Sequence, residues 1–278
     1  VIGYVVTPTL NTTPESYELH QAFAQMVEAG CEYAVMEVSS QGIKMHRTDG
    51  LYFNYAIFTN ISPDHIGPGE HADFEEYLYY KTRLLNMCGI GLVNKDDKHA
   101  PQIIKAANCE LYTYSEESKE ADFVASDIRY VSQPDFVGTE FHISGKYDME
   151  VRLGIPGLFN VVNALAAVSV CSFLGLDQAR ISHALENIRV NGRMEIVYTS
   201  ERCTVLVDYA HNAVSMESLL STLRDYKPKR LVCVFGCGGN RSKDRRYSMG
   251  EIGGKMADLS IITADNSRYE KVEDIIAD

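Results

Sequence analysis

Several residues in this sequence are of types that carry out phosphate and carboxylate chemistry, and their spacing suggests where to look. Glu37 closes the short apolar run Tyr33-Ala34-Val35-Met36-Glu37-Val38. A carboxylate at the mouth of a strand can hold Mg²⁺, a hard cation that favours oxygen ligands; the plain alternative is a solvated acidic residue. The loop Arg241-Ser242-Lys243-Asp244-Arg245-Arg246 follows Gly238-Gly239 and gathers cations in an otherwise acidic chain. Basic loops are usually just solvated, yet this one could supply the local field that an anionic ligand needs. Lys81 lies on a predicted helix, where a lysine is ordinarily a solvated charge. His65, in Asp64-His65, reads as a turn or capping histidine and by generic chemistry is a poor Mg²⁺ ligand. Thr12-Thr13 and Asn163 stand where helices begin, so capping is their simplest reading.

These residues must be positioned by regular elements. Thr12-Thr13-Pro14-Glu15-Ser16 supplies a capping threonine, a proline at a first helical position and an early acid, which predicts a helix to Ala29, stopped by Gly30. Short apolar runs at 33–38 and 55–60 read as strands, followed by a helix over 73–87, a strand at 91–94, a helix over 100–107 and a strand at 111–114. This alternation is the βαβ pattern of a parallel sheet. From 122 to 153 the rhythm becomes one of short alternating segments, which predicts a small antiparallel insertion. Helices over 161–174 and 177–187 then close a first domain, with a boundary near Val190. A second α/β alternation has strands at 204–207, 230–235 and 259–263, and the chain stops at Asp278 inside a predicted helix. The expected class is α/β: a mostly parallel sheet with an antiparallel insertion, plus part of a Rossmann-like second domain. Ligands in such sheets collect at the carboxyl edges of strands, which here are predicted to carry Glu37, Asn60, Asp208, Gly236 and Asp265.

Composition narrows the partners. The 278 residues suggest two domains, and 45% hydrophobic with 23% charged residues is ordinary for a globular chain. A net charge of -12 argues against nucleic acid, whose phosphates call for clustered Lys and Arg. No apolar run approaches the ~20 residues that span a bilayer, so no membrane partner is expected. Seven cysteines without a C-x-x-C pair suit a reducing cytosol, and the expected location is cytoplasmic.

Several segments taken together resemble the Mur ligases, and within them the tripeptide-forming members. They are Asn11-Thr12-Thr13-Pro14-Glu15-Ser16, Glu37-Val38-Ser39-Ser40, Asp64-His65, Gly192-Arg193-Met194-Glu195, Asp208-Tyr209-Ala210-His211 and Phe235-Gly236-Cys237-Gly238-Gly239. Each is weak alone; their order and spacing carry the resemblance, which covers nearly the whole chain. Asp265-Asn266-Ser267-Arg268 further resembles the D-N-P-R motif of members that add meso-diaminopimelate, with Ser267 in place of the proline. The family's G-T-N-G-K-T phosphate loop is not in the sequence. The resemblance implies that it precedes this chain, that a domain holding the uridine nucleotide precedes it too, and that the C-terminal domain continues further.

The resemblance implies an ATP- and Mg²⁺-dependent ligase of peptidoglycan synthesis. It would join meso-diaminopimelate to UDP-N-acetylmuramoyl-L-alanyl-D-glutamate through an acyl phosphate, as a monomer. It assigns Glu37, His65 and Lys81 to magnesium, with Lys81 as a carbamate formed by CO₂ on a neutral amine, which needs a lowered pKa. It places Asn163 near adenine, Arg193 near the ATP phosphates and Asp208 near the ribose. Asn11, Thr12, Thr13, Ser39 and Arg47 fall at contacts for the sugar-peptide. Met45 stands where some members have glutamine, and Ala213 where many have proline. Arg246, Asp265, Asn266, Ser267 and Arg268 fall at positions for the incoming amino acid, where Arg268 could pair bidentately with a distal carboxylate. Other readings are a lysine- or other diamino-acid-adding member, a folylpolyglutamate synthase-like ligase, and a Mur-like subunit that binds without ligating. Without the phosphate loop, the 278-residue chain alone is expected to be inactive.

Overall fold

A computed structural model describes residues 2 and 5–278. The chain forms two compact units, residues 1–124 and 125–278. The expected mixed α/β architecture with a mostly parallel sheet is what the elements form.

In the first unit, helix α1 (Ser16–Glu28) and the short α2 (Ser40–Lys44) precede strand β1 (Phe53–Phe58). Helix α3 (Phe74–Arg83) follows and runs into a 3-10 turn at Leu84–Asn86, then come β2 (Cys88–Asn94), α4 (Ala100–Ala106) and β3 (Glu110–Ser115). β1, β2 and β3 are parallel neighbours, and β4 (Phe123–Gln133) joins β3 through Phe123 and Val124. β2 is central and apolar on both faces, as a parallel strand covered by helices must be; Leu92 and Val93 have no exposed surface. Ala56, Phe58, Leu78, Leu85, Ala100 and Ile103 pack into one core around it. Tyr114 is buried with them and satisfies its hydroxyl by donating to the Phe58 carbonyl at 3.1 Å.

Two expectations fail here. Residues 33–38 form neither strand nor helix, and Val35 is 95% exposed. An apolar β-prone run becomes a strand only where a neighbour completes its ladder, and none of the described residues does so. Nor does a threonine cap α1, because Glu15 occupies the cap position without a side-chain bond. Thr13 is drawn inward instead, completely buried.

In the second unit the remainder of β4, β5 (Phe136–Gly145) and β6 (Met149–Leu153) follow one another in the sheet, with β5 and β6 antiparallel, as the alternating pattern predicted. Helices α5 (Leu158–Phe173) and α6 (Gln178–Asn187) match their predicted spans closely. Beyond them, β7 (Glu195–Thr199) and β8 (Thr204–Val207) form an antiparallel hairpin closed by Ser200, whose amide donates to the Cys203 carbonyl at 2.9 Å. The sequence reading missed β7 and thereby merged β8 into the following alternation. That alternation consists of α7 (Ala213–Asp225), β9 (Val232–Phe235), α8 (Lys243–Met256), β10 (Leu259–Ile262) and α9 (Val272–Ala277). β9 and β10 pair in parallel over a core of Met216, Leu220, Leu231, Cys237, Met249 and Ile275. α7 opens on a capping box between Asn212 and Ser215.

The loop between β1 and α3 is folded on itself by two backbone bonds, His71 N to His65 O and Gly67 N to His71 O, each 3.0 Å. The His71 ring has no exposed surface, lies 2.9 Å from Ser40 Oγ through Nε2, and packs against Tyr77 and Tyr80. Burial first, and then the nearby Lys44 ammonium, holds its pKa below the ordinary histidine value.

Two outcomes follow for stability. Leu92→Ala should cost about 2–5 kcal/mol in urea unfolding, whereas Val35→Ala, at an exposed position, should shift it by less than about 0.5 kcal/mol. For His71, the unfolded imidazole takes up a proton near pH 6.5 while the folded one resists. Stability should therefore fall as pH drops from about 7.5 to 5.5, and His71→Gln should flatten that fall; an equal fall in both proteins would refute the assignment.

Candidate active site

The first unit brings Thr13, Glu37, Ser39 and Arg47 together around Thr13. Thr13 Oγ1 donates to the Glu37 carbonyl at 3.1 Å and accepts from the Ser39 amide at 2.9 Å, so it fixes the backbone on both sides of Val38. Ser39 then caps α2, its Oγ accepting from Gly42 N at 2.9 Å. A side chain on Gly42 would meet Thr13 Cγ2 at 2.8 Å, which explains the glycine. Arg47 ties down the same loop from the other side, donating to the Thr13 carbonyl at 3.3 Å and pairing with Glu15 at 2.8 Å. Asn11 and Thr12 are exposed beside it, as is the side chain of Glu37. Met45 is also exposed.

His65 and Lys81 share a neighbour that the sequence reading missed. Tyr77, one helical turn before Lys81 on α3, is buried, with the His65 ring at 5.8 Å and the Lys81 ammonium at 5.7 Å from its ring. His65 adopts a left-handed backbone, φ 54°, and its Nδ1 lies 3.2 Å from Glu70 Oε1. Lys81 makes no hydrogen bond or ion pair among the described residues. Desolvation lowers its pKa, opposed by the negative charge of Glu37. Lys81 is thus half-buried, and its desolvation works against the charged form. The only sequence signal for Tyr77 is its position four residues before Lys81.

The donor set suits Mg²⁺ in kind. Among the described residues no three His, Cys, Asp or Glu side chains gather into a cage, and Mg²⁺ is ordinarily held by one or two carboxylates with water and substrate phosphate rather than by such a cage. Glu37 offers one carboxylate, and a carbamate on Lys81 would be a second.

In the second unit, Asp208 bonds the backbone of the residue that follows Arg193. The Asp208 carboxylate accepts from Met194 N at 2.9 Å and from Ala210 N at 2.8 Å, so it holds the turn that carries Arg193. The Arg193 guanidinium lies 4.8 Å from the Tyr209 ring, whose other neighbour is His211 at 5.0 Å. Tyr209 is thus a platform that orients an exposed Arg by a cation–π contact; the sequence reading noted Tyr209 only as part of the 208–211 segment. Asn163 is exposed on the first turns of α5 and caps nothing; Gly157, φ 105°, is the cap residue.

The loops after β9 and β10 interlock. Gly239 N donates to the Asn266 carbonyl at 2.9 Å. A Cβ on Gly236 would stand 2.5 Å from the Thr263 carbonyl oxygen, and one on Gly239 would stand 1.9 Å from that of Ser267. Asp265, Asn266 and Arg268 are exposed at this junction, and Ser267 is half-buried. Of the basic loop, Lys243 and Arg246 are neutralised within the chain: Lys243 pairs with Asp278 at 2.8 Å, and Arg246 pairs with both Glu270 and Asp278. Arg241, Arg245 and Arg268 form no ion pair among the described residues, so the field expected of the loop rests on them.

The chain is similar to known proteins over nearly its whole length. Residues 1–171 match the Mur ligase middle domain, and residues 192–278 match the Mur ligase glutamate ligase domain. A UDP-N-acetylmuramoyl-L-alanyl-D-glutamate--2,6-diaminopimelate ligase from Caldanaerobacter subterraneus subsp. tengcongensis is 38% identical over 100% of this chain and 56% of its own length. One from Clostridium acetobutylicum is 40% identical over 96% of this chain and 54% of its own. A solved structure of an enzyme of that name superposes with a TM-score of 0.73 at 30% identity, covering 93% of this chain and 54% of the other. The chain spans about half the length of the curated relatives it matches. With one domain family matched over well over half of its residues and a second over most of the rest, the chain belongs to the Mur ligase family.

Proposed function

We propose that this chain is part of an ATP-dependent ligase that adds meso-diaminopimelate to UDP-N-acetylmuramoyl-L-alanyl-D-glutamate. The observation that carries the reading is Arg268. It is exposed and free of ion pairs among the described residues, at the tip of a fixed turn, in a chain whose relatives bear the diaminopimelate-adding name over nearly all its length. A free guanidinium fork is the group expected to select an amino acid with a second carboxylate.

In this reading the D-glutamate γ-carboxylate attacks the γ-phosphorus of ATP, the bond to ADP breaks, and an acyl phosphate forms. The amine of diaminopimelate then attacks the acyl carbon, loses a proton and expels phosphate. Glu37, His65 and Lys81 as its carbamate would hold Mg²⁺, which stabilises the charge on the transferring phosphoryl group. The lowered pKa of Lys81 supports the carbamate, because only the neutral amine adds CO₂. Arg193, carried on Tyr209, faces the ATP phosphates; Asp208 keeps lone pairs free to accept from ribose hydroxyls; Asn163 serves adenine. Asn11, Thr12, Ser39 and Arg47 bind the sugar-peptide, with Thr13 shaping that surface from beneath. Asp265, Asn266, Ser267 and Arg268 receive the amino acid, with Arg246 behind them. The domain boundary near Val190 belongs to this reading and is supported by the gap between the two matched domains, 171 to 192. The reading also carries a cytoplasmic location, a monomeric state and no nucleic-acid or membrane partner; the charge of -12 weighs against nucleic acid, and among the described residues no helix is long and apolar enough to cross a membrane.

In the full-length protein, Lys81→Ala should reduce turnover at least roughly 100-fold, with partial recovery on adding short carboxylic acids; unchanged turnover would return Lys81 to the class of ordinary surface charges. Wild-type protein assayed with diaminopimelate and lysine side by side should prefer diaminopimelate, and Arg268→Ala should shrink that ratio by roughly 10-fold or more. Equal use of the two amino acids by the wild type would overturn the substrate assignment.

A further inference from the structure

The turn that presents Arg268 does not hold its shape on local grounds. Glu270 N donates to the Ser267 carbonyl at 3.0 Å, closing four residues, and Arg268 inside them has φ 52°. That left-handed conformation costs a non-glycine residue on the order of 1 kcal/mol. Nothing apolar offsets it, since Arg268 is exposed and Tyr269 is 96% exposed. The turn is held by its ties to the preceding loop: Gly239 N to Asn266 O at 2.9 Å, Tyr269 N to Asn240 Oδ1 at 3.3 Å, and Asn240 N to Glu270 Oε1.

The last of these ties reaches into the body of the unit. Arg246 Nη2 donates to both carboxylate oxygens of Glu270, at 2.9 and 2.8 Å, while its Nη1 donates to Asp278 at 2.7 Å. Arg246 is only 5% exposed, on a helix whose Met249 and Gly253 are also buried. A cation that deep requires its counter-ion, so loss of Glu270 would leave an expensive partly uncompensated charge. Glu270 is therefore gripped on one side by a rigid helix and grips on the other the backbone of the loop facing Arg268. The Asn240 amide and Arg246 keep its carboxyl below the usual range and ionised.

We propose that Glu270, anchored by Arg246, is a positioning residue that fixes the Arg268 turn and thereby sets discrimination between amino acids with and without a distal carboxylate. The proposal rests on the reading above, in which Arg268 receives that carboxylate. Glu270 touches no substrate. It sets where the Arg268 fork can point.

The test uses the full-length protein with Glu270→Gln and, as a second variant, Arg246→Lys, which keeps the charge but lacks the fork. Thermal unfolding identifies folded preparations, and Glu270→Asp serves if Glu270→Gln does not fold. The expected result is a rise in KM for diaminopimelate of roughly 10-fold, a matching fall in the diaminopimelate-to-lysine preference, and unchanged KM for ATP and for the dipeptide precursor. If Arg268→Ala collapses the preference while folded Glu270 and Arg246 variants keep it, the positioning role is wrong and the reading of Arg268 stands. A uniform fall in kcat with no change in preference also overturns it, as the mark of a merely structural residue. If neither Arg268→Ala nor the Glu270 variants alter preference, the reading of Arg268 itself has failed.

Discussion

A segment that joins no sheet must satisfy its backbone polar groups by other means, and at the end of the 33–38 segment one buried hydroxyl does so. Thr13 Oγ1 accepts from Ser39 and donates to Glu37, replacing two bonds that a neighbouring strand would otherwise supply. Because its hydroxyl is wholly buried, either bond left unmade would carry a desolvation cost of about 1–3 kcal/mol. Arg47 closes over the same threonine, Ser39 starts α2 from it, and Ser40 one residue on meets the buried His71. The backbone at Glu37 and the turn carrying His65 are thus linked through a short run of contacts that begins at Thr13.

The second unit solves a different problem. Asn163 and Arg246 sit on helices, but Arg193 and Arg268 sit on turns, and a carboxylate helps to fix each turn. Asp208 holds the turn of Arg193, and Glu270 holds that of Arg268. Both arginines are exposed and form no ion pair among the described residues, while a carboxylate fixes backbone close to each. Fixing the backbone beforehand lowers the entropy cost of binding.

Most of this fold could be read from the chain because its signals were local. The apolar run at 91–94 reads as a strand, which the structure extends back to Cys88, the helices predicted from Asp73 and Asp177 begin with those residues as caps, and the alternation over 122–153 is that of antiparallel strands. What escaped was non-local. The run at 33–38 has strand composition without a strand's partner, and β7 was hidden because Glu195-Ile196-Val197-Tyr198-Thr199 is too short for its pairing with β8 to be foreseen. Among site residues, the nucleophile and charge bearers were visible by type. The aromatic platforms Tyr77 and Tyr209, and the anchoring Glu270, were not, since an aromatic or an acid beside a functional group looks like any other until the fold sets the distance.

The interlocked glycines after β9 carry a further consequence. With a Cβ on Gly239 excluded by the Ser267 carbonyl and one on Gly236 excluded by that of Thr263, the two loops approach closely at these two positions. A larger residue at either glycine must displace backbone in the facing loop, so a selection for altered amino-acid preference would recover changes at Gly236 or Gly239 chiefly together with a compensating change across 263–268.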